Sequence, residues 1–507
     1  MHDKAKVRER VQAEASGAGG RPGPPKVTST FIDDCLQANN LGDGMLYAHL
    51  HQGRYLYAKA SQQWYVWQGH HWDLDVMDYS LADVEAVCTA YTNEAMTLSE
   101  RIANADKEKA KSLRAKQDRI YKRIWHLRGS ECRRKCREFA HSNPTNAIAV
   151  NGAEFDTNPW VFACKNGVIN LRTGKIRPGR PDDYITKASP VEYIDCEQPA
   201  PTWERFLQET HKGDDPLVAY IRRLFGYGMT GLTIEHVMPI LWGQGRNGKG
   251  TMVETISHVM GPMAAPIQSE MLLDQGFRQK GSTGPSPDIM ALKGLRLAFA
   301  SESDEGRRIS PSRVKWLTGG DTLVGRNPYD RYEIQFEPSH LLMLITNERP
   351  NAPADDFAFW ERAHLIPFLL SFVDREPKGE NERPADRDLK QKLWAEAPGI
   401  LAWLVRGCLE WQAEGLTPPP VVREATADYR REEDIIADFI DECCILDARA
   451  EIGAAKLYNA FTEWWKENVS NRVLSQKKFG RMMTKRFRRE KRSTYIYYGL
   501  DLLERFE

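Results

Sequence analysis

The rhythm of apolar and polar positions changes several times along the chain, and each change predicts a different kind of element. From about residue 45 to 78, Trp64-Tyr65-Val66-Trp67, then Gln68-Gly69, then Trp72, predict two short strands around a turn. Those rings could stack on bases, but packing in a hairpin core is the stronger expectation for aromatics. Residues 80 to 140 set Ile120, Tyr121, Ile124 and Leu127 at helical spacing among charges, which predicts long exposed helices. The run Arg133-Arg134-Lys135 is expected there as a solvated face. Asn166-Gly167 and Thr173-Gly174 then punctuate short apolar runs as hairpin turns.

Residues 200 to 235 read as helical, and Val237-Met238-Pro239-Ile240-Leu241-Trp242 is a short apolar run feeding glycines, the profile of a buried strand. Leu295 to Ala300 and Leu341 to Ile345 repeat that profile, with helical patterns between them, so a mainly parallel sheet covered by helices is expected. Gly415 to Pro420, with its Pro418-Pro419-Pro420, marks a boundary. No internal repeat is apparent. The expected domains are a disordered tail over 1–30, an α+β accessory domain over 31–200, the α/β core over 201–415, a linker and helix over 416–444 and a DNA-binding module over 445–507.

Composition narrows the class. The 507 residues exceed one hydrophobic core, and 41% hydrophobic with 28% charged residues suit a globular enzyme. Lys plus Arg and Asp plus Glu balance at 70 each, so a nucleic-acid footprint must be local. Nine scattered cysteines point to a reducing compartment. Cys132 and Cys136, with His126 and His141, could be drawn as zinc ligands, but no second knuckle accompanies them, so plain helix cysteines are expected. No stretch approaches the ~20 apolar residues that span a bilayer, which argues against a membrane role. The expected location is the cytoplasm, that of a bacterial host if the gene is phage- or plasmid-borne.

The chemistry centres on Gly243-Gln244-Gly245-Arg246-Asn247-Gly248-Lys249-Gly250-Thr251, which has the spacing of a phosphate-binding loop. Gly243, Gly245, Gly248 and Gly250, with Arg246 and Asn247, let backbone N–H groups turn toward phosphates. Lys249 reaches the terminal phosphates, and the following helix aims its positive end at the anion. The loop follows an expected buried strand and precedes a helical pattern over Met252 to Met260, the context the spacing requires. Hydrolysis needs a carboxylate at a neighbouring strand end. Glu302 stands just beyond Leu297-Ala298-Phe299-Ala300-Ser301, with Asp304 as a second candidate, and Asn347 ends the next strand.

These residues resemble the superfamily 3 helicases of the phage, plasmid and poxvirus primase-helicase branch. The likeness covers most of the chain after about residue 45 and extends to Glu305-Gly306-Arg307-Arg308, Leu317-Thr318-Gly319-Gly320-Asp321, Phe336-Glu337-Pro338 and Asn166 to Gly174. It implies an AAA+-like P-loop ATPase core that uses ATP and Mg2+, with Lys249 on the phosphates, Glu302 as the magnesium-linked catalytic acid and Asn347 as sensor. It implies a ring, a hexamer, hydrolysing at subunit interfaces while moving on single-stranded DNA. Trp360-Glu361-Arg362 resembles the family's Trp-Arg-Arg with glutamate in place of the first arginine, leaving Arg362 as the finger that completes a neighbour's site. Lys315, Arg326 and Arg331 become pore contacts to DNA phosphates. Gly250 stands where the pattern has the magnesium-ligating hydroxyl, so Thr251, with Glu302 and Asp304, is the candidate metal set.

From about residue 445 the character changes again. Ser475 is a candidate cap for a helix with apolar Phe479, Met482, Met483 and Phe487 and with Lys477, Lys478, Arg481 and Lys485 on other faces. Arg488 to Arg492 as a turn and Tyr495 to Tyr498 as a strand would complete a winged helix-turn-helix on duplex DNA. The rivals are a bifunctional primase-helicase, disfavoured because no priming site is evident before residue 200, and an origin-binding initiator that uses ATP as a switch. A separate primase or polymerase is a candidate partner.

Overall fold

The computed structural model describes residues 27–142, 148–274, 285–302, 308–326, 328, 333–469, 473–484, 486–492 and 494–503, and only the backbone of Glu302. Asp304, Arg331, Lys485 and most of the expected tail lie outside the described residues.

The amino-terminal part opens with α1 (Ser29–Gln37) and α2 (Asn39–Leu50). The Thr28 hydroxyl caps α1 by accepting from the Phe31 N–H at 3.2 Å. β1 (Tyr55–Ala58), β2 (Gln63–Trp67) and β3 (Trp72–Leu74) follow, so the aromatic region holds three strands. Its rings Tyr55, Trp64 and Trp72 are buried, which is the packing role. The long helices α3 (Glu85–Ala103), α4 (Lys107–Leu127) and α5 (Ser130–Ser142) precede β4 (Ala149–Val150), and the sheet runs β3-β2-β1-β4. Asp43 is buried here because Arg123 and the Tyr91 hydroxyl satisfy its carboxylate. Arg133 pairs with Glu85 and Lys135 with Glu131, so two of the three cations of that basic run are tied to acids of their own neighbourhood, and Arg134 is exposed. An antiparallel sheet, β5 (Val161–Cys164), β6 (Gly167–Asn170) and β7 (Lys175–Arg177), uses the two expected hairpin turns.

After α6 (Pro201–Thr210) and α7 (Asp215–Gly228) comes the central sheet. It is built from β8 (Met238–Trp242), followed by α8 (Lys249–Met260), then β9 (Ala264–Ile267), β10 (Leu297–Glu302) and α9 (Pro311–Thr318). A hairpin of β11 (Leu323–Gly325) and β12 (Ile334–Phe336) leads to β13 (Leu341–Thr346) and β14 (Ala363–Pro367). The order is β14-β8-β13-β10-β9 with every pair parallel, so the chain is a mixed α/β protein around a parallel sheet.

Alternation within the strands sends residues to two cores. Leu241, Leu297, Leu341, Met343 and Ile366 face one, with Met252, Val253 and Ile256 of α8. Met238, Ile240, Ala298, Ala300, Leu342, Leu344 and Leu365 face the other, with Val314 and Leu317 of α9. Burial on both faces is why these strands read as unbroken apolar runs.

β15 (Ser371–Val373) and β16 (Glu382–Pro384) pair beyond β14, and α10 (Ala397–Glu414) packs on α7. The proline-rich break does not end the core. Pro420 occupies the first turn of α11 (Pro420–Glu432), where its missing N–H costs nothing. This helix covers edge strand β14: Thr426 accepts from the Leu365 N–H at 2.9 Å, and Tyr429 is fully buried in the second core. Glu433, just past α11, still accepts from the Ala352 N–H at 2.8 Å, and the next cluster of buried residues starts at Ile436, within the stretch expected as linker and helix. A separate cluster then gathers α12 (Ile435–Cys443), β17 (Cys444–Ile445), β18 (Glu451–Gly453), α13 (Ala454–Asn468) and α14 (Gln476–Thr484) with β19 (Arg489–Lys491), β20 (Tyr495–Tyr498) and β21 (Asp501–Leu502). Arg489 to Lys491, within the run expected as a turn, is a strand antiparallel to Tyr495–Tyr497. The tyrosines opposite explain it, because Arg489 lies over the rings of Tyr495 and Tyr497 at 4.4 and 5.9 Å. Among the described residues no helix is long and apolar enough to cross a membrane.

Candidate functional site

The carboxyl ends of the parallel strands form one edge in register. Glu302 of β10 is opposite Thr346 of β13, Thr346 is opposite Trp242 of β8, and Trp242 is opposite Pro367 of β14. Chain order reverses around β8, whose neighbours are the last two strands, and in open α/β sheets such a switch point is where ligands sit. The loop 243–248 leaves β8 there and enters α8.

Two glycines make its course possible. Gly248 caps α8 at φ 88°, and a Cβ on Gly243, at φ 154°, would meet the Phe368 carbonyl oxygen at 2.2 Å. Asn247 is buried beside them. Its Nδ2 donates to the Phe368 carbonyl at 3.3 Å and its Oδ1 accepts from the Lys249 N–H at 3.4 Å, which latches the loop to the chain beyond β14. Arg246 points outward to Asp374 at 3.5 Å, while its carbonyl accepts from the Phe372 N–H at 2.7 Å.

Lys249 is the centre of the site. Only 4% of it is exposed, and its Nζ donates to the Gly243 carbonyl and to Asn347 Oδ1 at 3.1 Å. Burial pushes its pKa down to about 8, because leaving water disfavours the ammonium. Two of the expected residues, 98 positions apart, are thus in contact. Glu302 ends the adjacent strand at the same level by backbone register. Thr251 is half-buried in the first turn of α8, and Gly250 is exposed with open space where a Cβ would be. Arg349, absent from the sequence expectations, lies over the Trp242 ring at 4.1 Å and pairs with Glu432 of α11.

Arg362 lies elsewhere. It precedes β14, at the opposite edge of the sheet, where its carbonyl accepts from the Met238 N–H and its Nη1 donates to the Ala358 carbonyl at 2.8 Å. The strand that separates it from the carboxyl edge is about 17 Å long, so Arg362 stands well away from Lys249 of the same chain. Its Nε is buried without a hydrogen-bond partner among the described residues. Lys315 pairs with Asp356 at 2.7 Å, and the backbone of Arg326 exchanges hydrogen bonds with Ser286, at the foot of the β11–β12 hairpin.

At the far end, Lys477 and Arg481 of α14 line an open cleft of about 460 Å³ with Gln476, Gly480, Thr484 and Arg489. Lys478 lies on the same helix outside that lining. Arg489 escaped the sequence reading because its run looked like a turn; alternation of charge with Tyr495 and Tyr497 opposite was the available signal. The suggested zinc residues diverge: Cys132 contacts His126 at 3.1 Å, while His141 stacks on Tyr57 at 3.7 Å. Among the described residues no three metal-ligating side chains converge.

Comparison with known proteins finds matches in two regions and along most of the chain. Residues 44–212 match the family described as D5 N terminal like, and residues 431–501 match the one described as Poxvirus D5 protein-like. The chain is 26% identical over 434 residues to "Putative helicase L207/L206" of Acanthamoeba polyphaga mimivirus, covering 82% of this chain and 44% of that protein. It is 24% identical over 389 residues to "Putative helicase 022R" of Frog virus 3 (isolate Goorha), covering 62% and 40%. It therefore spans less than half the length of these curated relatives, which come from large eukaryotic viruses rather than phages or plasmids. Among solved structures, the apo NrS-1 C terminal region overlays with a TM-score of 0.43 at 12% identity, covering 85% of this chain and 80% of that one. Both D5-type regions are thus matched in order, and helicase-named viral relatives match along most of the chain, which supports kinship with the D5-type primase-helicases.

Proposed function

We propose that the chain is an ATP-dependent DNA helicase or translocase acting in replication, with an AAA+-like P-loop core and a carboxyl-terminal winged helix. The observation that carries this reading is the meeting of Lys249 with Asn347 at the switch point, beside the strand that ends in Glu302. A phosphate fits the chain's own chemistry there. A buried cation with a depressed pKa gains from an anion, and α8 presents its positive end at Gly248. Mg2+ takes oxygen donors, and Thr251 and Glu302 would supply them, with Asp304 further along.

Bound ATP with Mg2+ supplies a scissile phosphoanhydride and the charge that polarises it. Lys249 exchanges its bond to the Gly243 carbonyl for phosphate oxygens, Asn347 holds the attacking water in line, and Glu302 accepts its proton. Arg362, too far from its own site, reaches the site of an adjacent subunit in a ring, taken as a hexamer. Single-stranded DNA is gripped at the β11–β12 hairpin through Arg326, with Arg331 and Lys315 as further candidates. Duplex DNA is held by Lys477, Arg481 and Arg489 in the α14 cleft, with Lys478 and Lys485 as further candidates; the helices with the β18-β20-β19 sheet suit a winged helix. Helicase-named relatives support unwinding over primer synthesis. A strand-displacement assay on a forked duplex tests the proposal. ATP-dependent separation is expected, and duplex binding without separation would favour an initiator that uses ATP as a switch.

A further inference from the structure

We infer that the outward face of α4 is a stacking platform for single-stranded nucleic acid. Trp125 is 81% exposed, the most exposed large hydrophobic side chain among the described residues, and Tyr121 is 50% exposed. Four residues apart, they lie on one helix face. Its buried side is complete without them: Ile120, Ile124 and Leu127 fill the core beneath. Neither ring belongs to the core cluster beneath the helix.

The charges divide in the same way. Cations of this region that serve the fold point toward acids: Lys116 to Asp33 and Glu94, Arg123 to Asp43, and Arg128 to Glu85. Lys111, Arg114 and Lys122 are exposed on the same stripe as the two rings, and among the described residues none of them has an acidic partner. Asp118 is the acid among them. From residue 111 to 125 the stripe runs about 21 Å, several nucleotides of extended strand. Rings accept base faces without regard to sequence, and the intervening ammonium and guanidinium groups neutralise phosphates. A docking protein would instead be met by a continuous apolar patch, and here two rings stand apart among cations.

This face lies outside the residues of the proposed motor, so it can be tested apart from them. The full chain is photocrosslinked to a 20-nucleotide single strand carrying 5-bromodeoxyuridine, and the adducts are mapped by mass spectrometry. Adducts at Trp125 or Tyr121 are expected, and they persist in Lys249→Ala and in Lys477→Glu/Arg481→Glu, so failure of the motor reading leaves them in place. In the Lys477→Glu/Arg481→Glu background, Trp125→Ala weakens binding of an oligo-dT 20-mer about tenfold by fluorescence anisotropy, the worth of one stacked base. Trp125→Phe retains most of the affinity. Adducts confined to other segments, or unchanged affinity in Trp125→Ala, overturn the inference and leave the face to a protein partner.

Discussion

The carboxyl edge of the central sheet and the cleft beside α14 both gather basic residues, yet they hold them in opposite ways. At the sheet edge one lysine is buried, stripped of water and tied to a carbonyl and an amide; beside α14, Lys477 and Arg481 stand exposed in water. The first arrangement costs the folded chain something and gains from a compact anion at one point. The second costs little and suits a long polyanion whose contacts are interchangeable. One side chain should therefore decide function at the sheet edge, whereas effects at the cleft should be graded.

The largest effect expected from that contrast is at Glu302. Glu302→Gln should bind nucleotide as the natural chain does and lose turnover by about 10²–10⁴-fold, the worth of a general base. Equilibrium binding beside phosphate release checks it, and lost binding with surviving turnover would make Glu302 structural. Next comes Arg362. Arg362→Ala should assemble and bind nucleotide yet hydrolyse about 10³-fold more slowly. Mixing it with Lys249→Ala should restore activity, because some neighbours then pair an intact Lys249 with an intact Arg362. Mixed rings without recovery, beside full turnover in Arg362→Ala alone, would end the assignment across subunits.

At the cleft, Lys477→Ala, Arg481→Ala and Arg489→Ala should each lower the log-log salt slope of duplex binding by about 0.9 and no more. A single substitution that abolishes binding would contradict the graded picture. The smallest effect concerns the lysine's proton. With its pKa at about 8 instead of 10.5, the folded chain loses a proton the unfolded chain keeps, so this group adds stability as pH rises from about 8 to 10.5. Nucleotide binding should reverse the shift. Calorimetry at about pH 8.5 in buffers of different ionisation heat should register uptake of a large part of one proton, and none in Lys249→Ala.

The same contrast explains what the sequence made legible. β8, β10 and β13 stood out because strands buried on both faces are unbroken apolar runs, and the edge residues follow from where each run stops. The latch from Asn247 to Phe368 was invisible, because it joins residues 121 positions apart through one amide. A helix was expected after Pro418 to Pro420, but that α11 still packs on the core was hidden, since the prolines signal a domain boundary equally well as a helix beginning. Arg489 was read as a turn because its partner strand is needed to see that its charge rests on tyrosine rings. Local periodicity carried the elements; contacts distant in sequence carried the site's precision.

The central claim is that Lys249 holds ATP for hydrolysis, and the most direct test is steady-state phosphate release with ATP, Mg2+ and single-stranded DNA. The natural chain should turn over, and Lys249→Ala, folded to the same thermal midpoint within a few degrees, should fall to background. Equal release from both would contradict the account.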